Sequence, residues 1–219
     1  MNMPTQKPTT QTRPLRSDAE RNRQAIICAA GSMLAEQGTG VTLECIAEAA
    51  GVGVGTIYRR FPSLEALVAV VLEEKMRRYA DRTERAAEQA LVEPWEAFRD
   101  YVMFILEQQS SDLAFSEVIL SPRGASDVFH AERERAFRAS VVLVKRVRAA
   151  GAVRPDFDHT DLHMLLFANG GLVRDAQPEA PLAWRRFGEY MLQAFRETGG
   201  KPLTPPSEIW TGVLAAEDH

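Results

Sequence analysis

Between Thr42 and Phe61 the chain gathers side chains suited to the non-covalent recognition of a polyanion: the hydroxyls of Thr42, Thr56 and Tyr58 and the guanidinium groups of Arg59 and Arg60. A guanidinium matches the paired acceptors of guanine or the oxygens of a phosphate, and a hydroxyl donates well to a phosphate. No comparable set is arranged for catalysis. There is no G-x-S-x-G nucleophile motif and no G-x-G-x-x-G after a strand; the run Gly51-Val52-Gly53-Val54-Gly55 lies between helical segments, where a phosphate loop is not expected. His159 and His163 stand four apart beside Asp156, Asp158 and Asp161. That is the spacing of a metal-binding helix face, and equally that of a capped, acidic helix start with two incidental histidines. No cysteine joins them, there is no HExxH, and neither a metal nor a cofactor is implied.

The recognition residues need two short helices held by a tight turn. Thr42 is suited to cap the first, with Glu44 in its opening turn. Gly51 permits the positive φ of the turn Gly51-Val52-Gly53, and a second helix covers about 54–61. Ala47 is small enough for close approach, while Ile46, Val52, Ile57 and Phe61 supply the apolar lock. The outward face then carries Val54, Gly55, Thr56, Tyr58 and Arg59, the presentation of a helix that enters the ~12 Å major groove of DNA.

This stretch resembles the TetR family of repressors. The residues that carry the likeness are Thr42, Ile46-Ala47, Ala50-Gly51-Val52, Gly55-Thr56-Ile57-Tyr58, Phe61, Ser63 and Leu67, within about residues 20–72; beyond them it is one of helix number and order. The resemblance implies an all-α fold, with a three-helix DNA-binding domain followed by a helical bundle that binds a ligand and dimerises. It implies phosphate contacts from Thr42, Tyr58, Arg60 and Arg23, and base contacts from Val54, Gly55, Thr56 and Arg59. It further implies a palindromic operator read by two recognition helices about one DNA turn (~34 Å) apart, released when a small effector favours a wider state. The sequence departs from the family pattern at Leu64, where a lysine is usual after the serine.

Around this unit the periodicity is helical almost throughout, with no sustained alternation and no Asn-Gly turn. Residues 1–16, polar and rich in Pro and Thr, are expected to be a disordered tail, and 200–219 to trail off. Between them the expected organisation is a DNA-binding domain over 17–62 and a regulatory and dimerisation domain over 63–199. A first helix is expected over about 17–37, a fourth from Leu64 past Tyr79, a fifth opened by Pro94, a long one capped by Ser126, one capped by Asp158 or Thr160, and a last one opened by Pro181. Cys28 and Cys45, among apolar helical positions, are expected in the core.

Composition sets the outer bounds. Of the net charge of −4, residues 1–62 carry +2, from seven basic and five acidic side chains, leaving −6 for the rest; the basic surplus falls at the end with the recognition residues. No apolar run approaches the ~18 residues of a membrane span, and no signal-peptide core follows Met1, so a cytoplasmic protein is expected, with no membrane partner. Two further surfaces are indicated. Trp95, Phe98, Tyr101, Val102, Ile105, Phe115, Phe137 and Val141 are candidates to line a pocket for a mainly apolar effector, ordinary core packing being the alternative. Leu166, Phe167, Gly170, Trp184, Phe187, Met191 and Phe195 suit a homodimer interface on the last two helices, again with monomer core as the alternative. An enzyme would need a convergent acid-base or metal set, and a structural adaptor would use the helix-turn-helix for protein contacts; a salt-dependent DNA shift assay separates these readings.

Overall fold

The structure is a computed structural model, and it describes residues 13–37, 40–120, 126–176, 179–196 and 199–205. Among them every regular element is a helix: α1 (Arg13–Gln37), α2 (Leu43–Ala49), α3 (Val54–Arg60), α4 (Leu64–Gln89), α5 (Pro94–Ser111), α6 (Leu113–Leu120), α7 (Asp127–Ala149), α8 (His159–Ala176) and α9 (Ala183–Arg196). The expected tails fall mostly outside the described residues. Residues 13–16, expected in the N-terminal tail, belong to α1, and 200–205 carry no regular structure and are exposed.

The helix ends follow from local chemistry. Thr42 is extended and its Oγ1 accepts from the Cys45 N–H at 3.3 Å, capping α2. Ser63 caps α4 through Ala66 N–H at 3.2 Å, and Ser126 caps α7 through Phe129 N–H at 3.2 Å. Asp112 caps α6 by accepting from Phe115 N–H at 3.0 Å. For α8 the cap is Asp158, which accepts from Thr160 N–H at 3.0 Å; Thr160 itself is buried. Gly51 (φ 66°) and Gly151 (φ 65°) take the left-handed conformation at the ends of α2 and α7. The last helix begins at Ala183, because Pro181 and Leu182 form a turn in which Ala183 N–H donates to the Ala180 carbonyl.

The chain forms two compact units, residues 1–71 and 72–219. Sequence places a boundary at 62/63, before α4; the structural division falls within α4, whose first turns contribute buried Leu67 and Val71 to the first unit's core. That core also holds Ile26, Ala30, Leu34, Leu43, Ile46, Ala47, Ile57 and Phe61. In the second unit α4 continues with a stripe of buried small residues, Ala80, Thr83, Ala86, Ala87 and Ala90, at helical spacing. Around it α5 packs against α7, α8 and α9, and α6 against α5 and α8. The centre is aromatic: Phe98 meets Phe157 edge-on with ring centroids 5.3 Å apart, and Phe157 meets Phe195 at 4.8 Å. Close approach of α5 and α9 rests on Gly188, where a Cβ would lie 2.7 Å from Leu106 Cδ1 and 3.1 Å from Met103 Sδ.

Candidate functional site

In the first unit α2 and α3 are joined by the turn at Gly51, and Val52 N–H donates to the Ala47 carbonyl at 3.0 Å, closing the end of α2. Ile46, Ala47 and Ile57 are fully buried, so the facing sides of the two helices are fixed against α1 and one another. Only seven residues long, α3 therefore has one side committed to the core, and its remaining surface is presented to solvent. Val54 and Tyr58, each 47% exposed, stand on it with exposed Gly55 and Arg59 and half-buried Thr56. Arg59 donates to the Thr56 hydroxyl at 3.3 Å, and a Cβ at Gly55 would meet nothing within 4 Å. Arg60 reaches back to the Ala19 carbonyl at 3.4 Å, and Arg23 lies 3.8 Å from Glu20 in a solvated helix pair. Leu64, in the position where the resemblance leads one to expect lysine, packs against the first core.

One member of this face was not foreseen. The Tyr58 hydroxyl donates to Glu44 on α2. This bond, together with the Glu44 backbone N–H and Thr42, holds the Glu44 carboxyl below its ordinary range, and the carboxylate in turn raises the Tyr58 phenol. The two sit fourteen positions apart in sequence, so neither residue's pattern announces the other. Cys28 and Cys45, expected in the core, are exposed thiols: Cys28 lies outside the stripe set by Ile26, Ile27 and Ala30, and Cys45 outside the one set by Leu43, Ile46 and Ala47.

The second unit contains a cavity of about 80 Å³ between α4, α5, α6, α7 and α8. Its wall is formed by Met76 and Tyr79, Tyr101 and Ile105, Ile119, then Arg133, Ala136, Phe137 and Ser140, and Leu162, His163, Leu166 and Phe167. Of the residues expected to bind an effector, Tyr101, Ile105 and Phe137 face this space. The others are placed elsewhere. Phe98 and Val102 are fully buried, with Phe98 against Phe157 and Phe195; Phe115 packs edge-on to Tyr79; Trp95 lies beneath the Arg196 guanidinium at 4.7 Å; and Val141 borders a polar surface cleft with Lys145, Arg148, Asp158 and His159. The expected set was drawn from α5 and its sequence neighbours, whereas the wall takes one or two turns from each of five helices. Its polar members are the Tyr79 and Tyr101 phenols, both pushed up by burial, Ser140, Arg133 and His163. Tyr101 also receives a hydrogen bond from the Thr83 hydroxyl at 3.3 Å. A buried chain of side chains lies behind: Gln109 donates to Ser116 and to the Leu166 carbonyl, each at 3.1 Å, and Asn169 donates to Gln109 at 3.0 Å, joining α5, α6 and α8.

The residues expected at a subunit interface divide. Phe195 is buried within the subunit, and Leu166 lines the cavity. Trp184, Phe187 and Met191 are half-buried against the second core, Gly170 is half-buried, and Phe167 is 41% exposed. Beside them Met164, Leu182 and Tyr190 are exposed apolar side chains on or flanking α8 and α9. Neither His159 nor His163 joins a metal-binding group: among the described residues no three His, Cys, Asp or Glu side chains converge.

Residues 26–71 match the model of the N-terminal region of bacterial regulatory proteins of the tetR family. Over 67 residues the chain is 40% identical to the HTH-type transcriptional regulator SAR0097 of Staphylococcus aureus, a match that takes in 29% of this chain and 35% of that protein. The chain thus spans about a third of the length of this curated relative. Among solved structures, a TetR transcription regulatory protein from Mycobacterium vanbaalenii superposes with a TM-score of 0.63 at 29% identity, covering 84% of this chain and 99% of that one. The TetR transcriptional regulator SCO0520 from Streptomyces coelicolor gives 0.58 at 28% identity, covering 80% and 98%.

Proposed function

We propose that the chain is a TetR-family transcription regulator, a cytoplasmic repressor that binds an inverted-repeat operator as a homodimer and is released by a small, mainly apolar effector. Residues 17–62 serve as the DNA-binding domain and 63–199 as the regulatory and dimerisation domain. One observation carries the reading: α3 buries Ile57 completely while Val54, Gly55, Tyr58 and Arg59 stand together in solvent. A short helix anchored on one side and dressed with base- and phosphate-reading groups on the other is what the major groove accepts. Arg59 reads a guanine, Val54 and the Thr56 methyl read thymine methyls, and Gly55 admits the backbone. Thr42, Tyr58, Arg60 and Arg23 contact phosphates, with Arg59 or Arg60 making up for the lysine that Leu64 replaces. Among the described residues no helix is long and apolar enough to cross a membrane.

A palindromic site calls for two-fold symmetry in the protein. The interface is formed by α8 and α9 through Phe167, Gly170, Trp184, Phe187 and Met191, with Leu166 and Phe195 supporting it from inside the subunit. The exposed Met164 and Tyr190 support this choice, since apolar groups grouped on adjacent helices mark an association surface. The effector enters the cavity walled by Tyr101, Ile105 and Phe137. Operator binding is tested by salt-dependent fluorescence anisotropy on fragments selected from genomic DNA. A steep fall of affinity with salt and a defined palindrome support the reading; salt-independent or absent binding by folded dimer rejects it.

A further inference from the structure

The cavity in the second unit is apolar over most of its wall, yet one cation lines it that no carboxylate among the described residues pairs. On α7, Arg133, Ala136, Phe137 and Ser140 recur at helical spacing and all face the same space. Arg133 is half-buried, and among the described residues it has no carboxylate within ion-pair distance. Its neighbours on α7 are satisfied: Arg135 is held by Asp81, Glu84 at 3.3 Å and Glu132 at 3.0 Å, and Arg138 by Glu134 at 3.7 Å. Across the cavity His163 is partly buried and its Nδ1 lies 3.2 Å from the His159 carbonyl oxygen. With Nδ1–H donating to that carbonyl, Nε2 remains as the ring's second polar atom. Burial is the main cause that keeps this imidazole neutral, and Arg133 adds to it.

We infer that the cavity takes an amphipathic monocarboxylate, its apolar body lying among Met76, Ile105, Phe137 and Leu162 and its carboxylate paired with Arg133 beside His163. The inference rests on the reading of this cavity as the effector site and names the chemical class of the effector. A half-buried guanidinium facing an apolar space is matched by a planar carboxylate, which accepts from the fork through both oxygens. A neutral apolar molecule would take Arg133 further out of solvent and supply no counter-charge. A polyanion is disfavoured, because the wall supplies one guanidinium only.

The test uses the full-length dimer on its operator, with octanoate, 1-octanol and octylamine as probes at neutral pH, read by DNA release and by thermal shift. Octanoate is expected to release DNA and raise the melting temperature, with octanol on the order of tenfold weaker and octylammonium inert. In Arg133→Gln the preference for octanoate over octanol is lost while operator binding without ligand is unchanged, and Arg133→Lys restores part of it. Should Arg133→Gln fail to fold, Arg133→Lys and the probe series on the wild type decide the matter. Octanol matching or exceeding octanoate overturns the inference and leaves the apolar-effector reading standing. Binding of none of the probes by a protein that still binds operator overturns both.

Discussion

Tyr58 is claimed by two anions. In the free protein its hydroxyl donates to Glu44; the proposed DNA contact asks the same hydroxyl to reach a phosphate. Glu44 therefore both presets the tyrosine and repels the ligand. Glu44→Gln is expected to tighten operator binding at every sequence tested, and to do so more at low salt than at high, in an anisotropy titration across ionic strength. Tyr58→Phe is expected to weaken binding evenly at all sequences, whereas Arg59→Ala costs on the order of 1–3 kcal/mol and relaxes preference at one base step. Because Glu44 is lowered from its usual 4.5, the Glu44–Tyr58 bond is present above that value and is lost only as pH falls through the still lower folded-state value. Gly55→Ala separates folding from recognition: the added methyl meets open space in a helix, so stability to urea should hold or rise by up to about 1 kcal/mol while operator affinity drops. The outward face of α3 was legible in the sequence because Thr42 to Phe61 is one local unit whose periodicity fixes which side faces out. Glu44's bond to Tyr58 and Arg133's place in the cavity were not, since each depends on which helix packs opposite.

At the scale of elements, caps and stops wrote most helix boundaries into the sequence. Thr42, Ser126 and Asp158 each cap as their residue types dictate, and Gly51 and Gly151 close helices with positive φ. What one-dimensional periodicity withheld is the pairing of helices, and with it the wall of the cavity: Tyr101 and Ile105 face it, while Phe98 and Val102, on the same helix, face the core. The α5–α9 contact carries a direct test. Gly188→Ala brings a methyl against the ends of the Leu106 and Met103 side chains, which must move aside in a packed core, and after the helix-propensity gain of alanine is expected to destabilise the second unit by about 1 kcal/mol in urea unfolding. A second test lies in the buried amide chain. Gln109→Leu removes one of the two acceptors of the Asn169 amide, which keeps the Leu106 carbonyl, and the donor to Ser116 and to the Leu166 carbonyl, and is expected to cost about 1–3 kcal/mol. A loss below the error of the measurement in either variant contradicts the packing described.

For the whole molecule, the proposed dimer ties association to function. Phe187→Asp places a charge on α9 where the ring packs partly against its own core, so Tyr190→Asp, at a side chain 55% exposed, is the cleaner probe. Both are expected to yield monomers by light scattering and to lose operator binding together, because one half-site alone contributes only part of the contact. A dimer that persists in both moves the interface to another surface.

The volume of the cavity has a consequence in time. At about 80 Å³ it is smaller than the ~150 Å³ that accepts a benzene ring, so on the proposed reading an effector of eight or more heavy atoms seats fully only when the surrounding helices part. The same parting must recur for the molecule to leave. Exit is then clocked by the protein rather than by the strength of the contacts, as when a lid governs product release. After wash-out of effector, operator binding should return with a lag of similar length for tight and weak effectors alike, giving the regulated gene a short memory of a signal already gone.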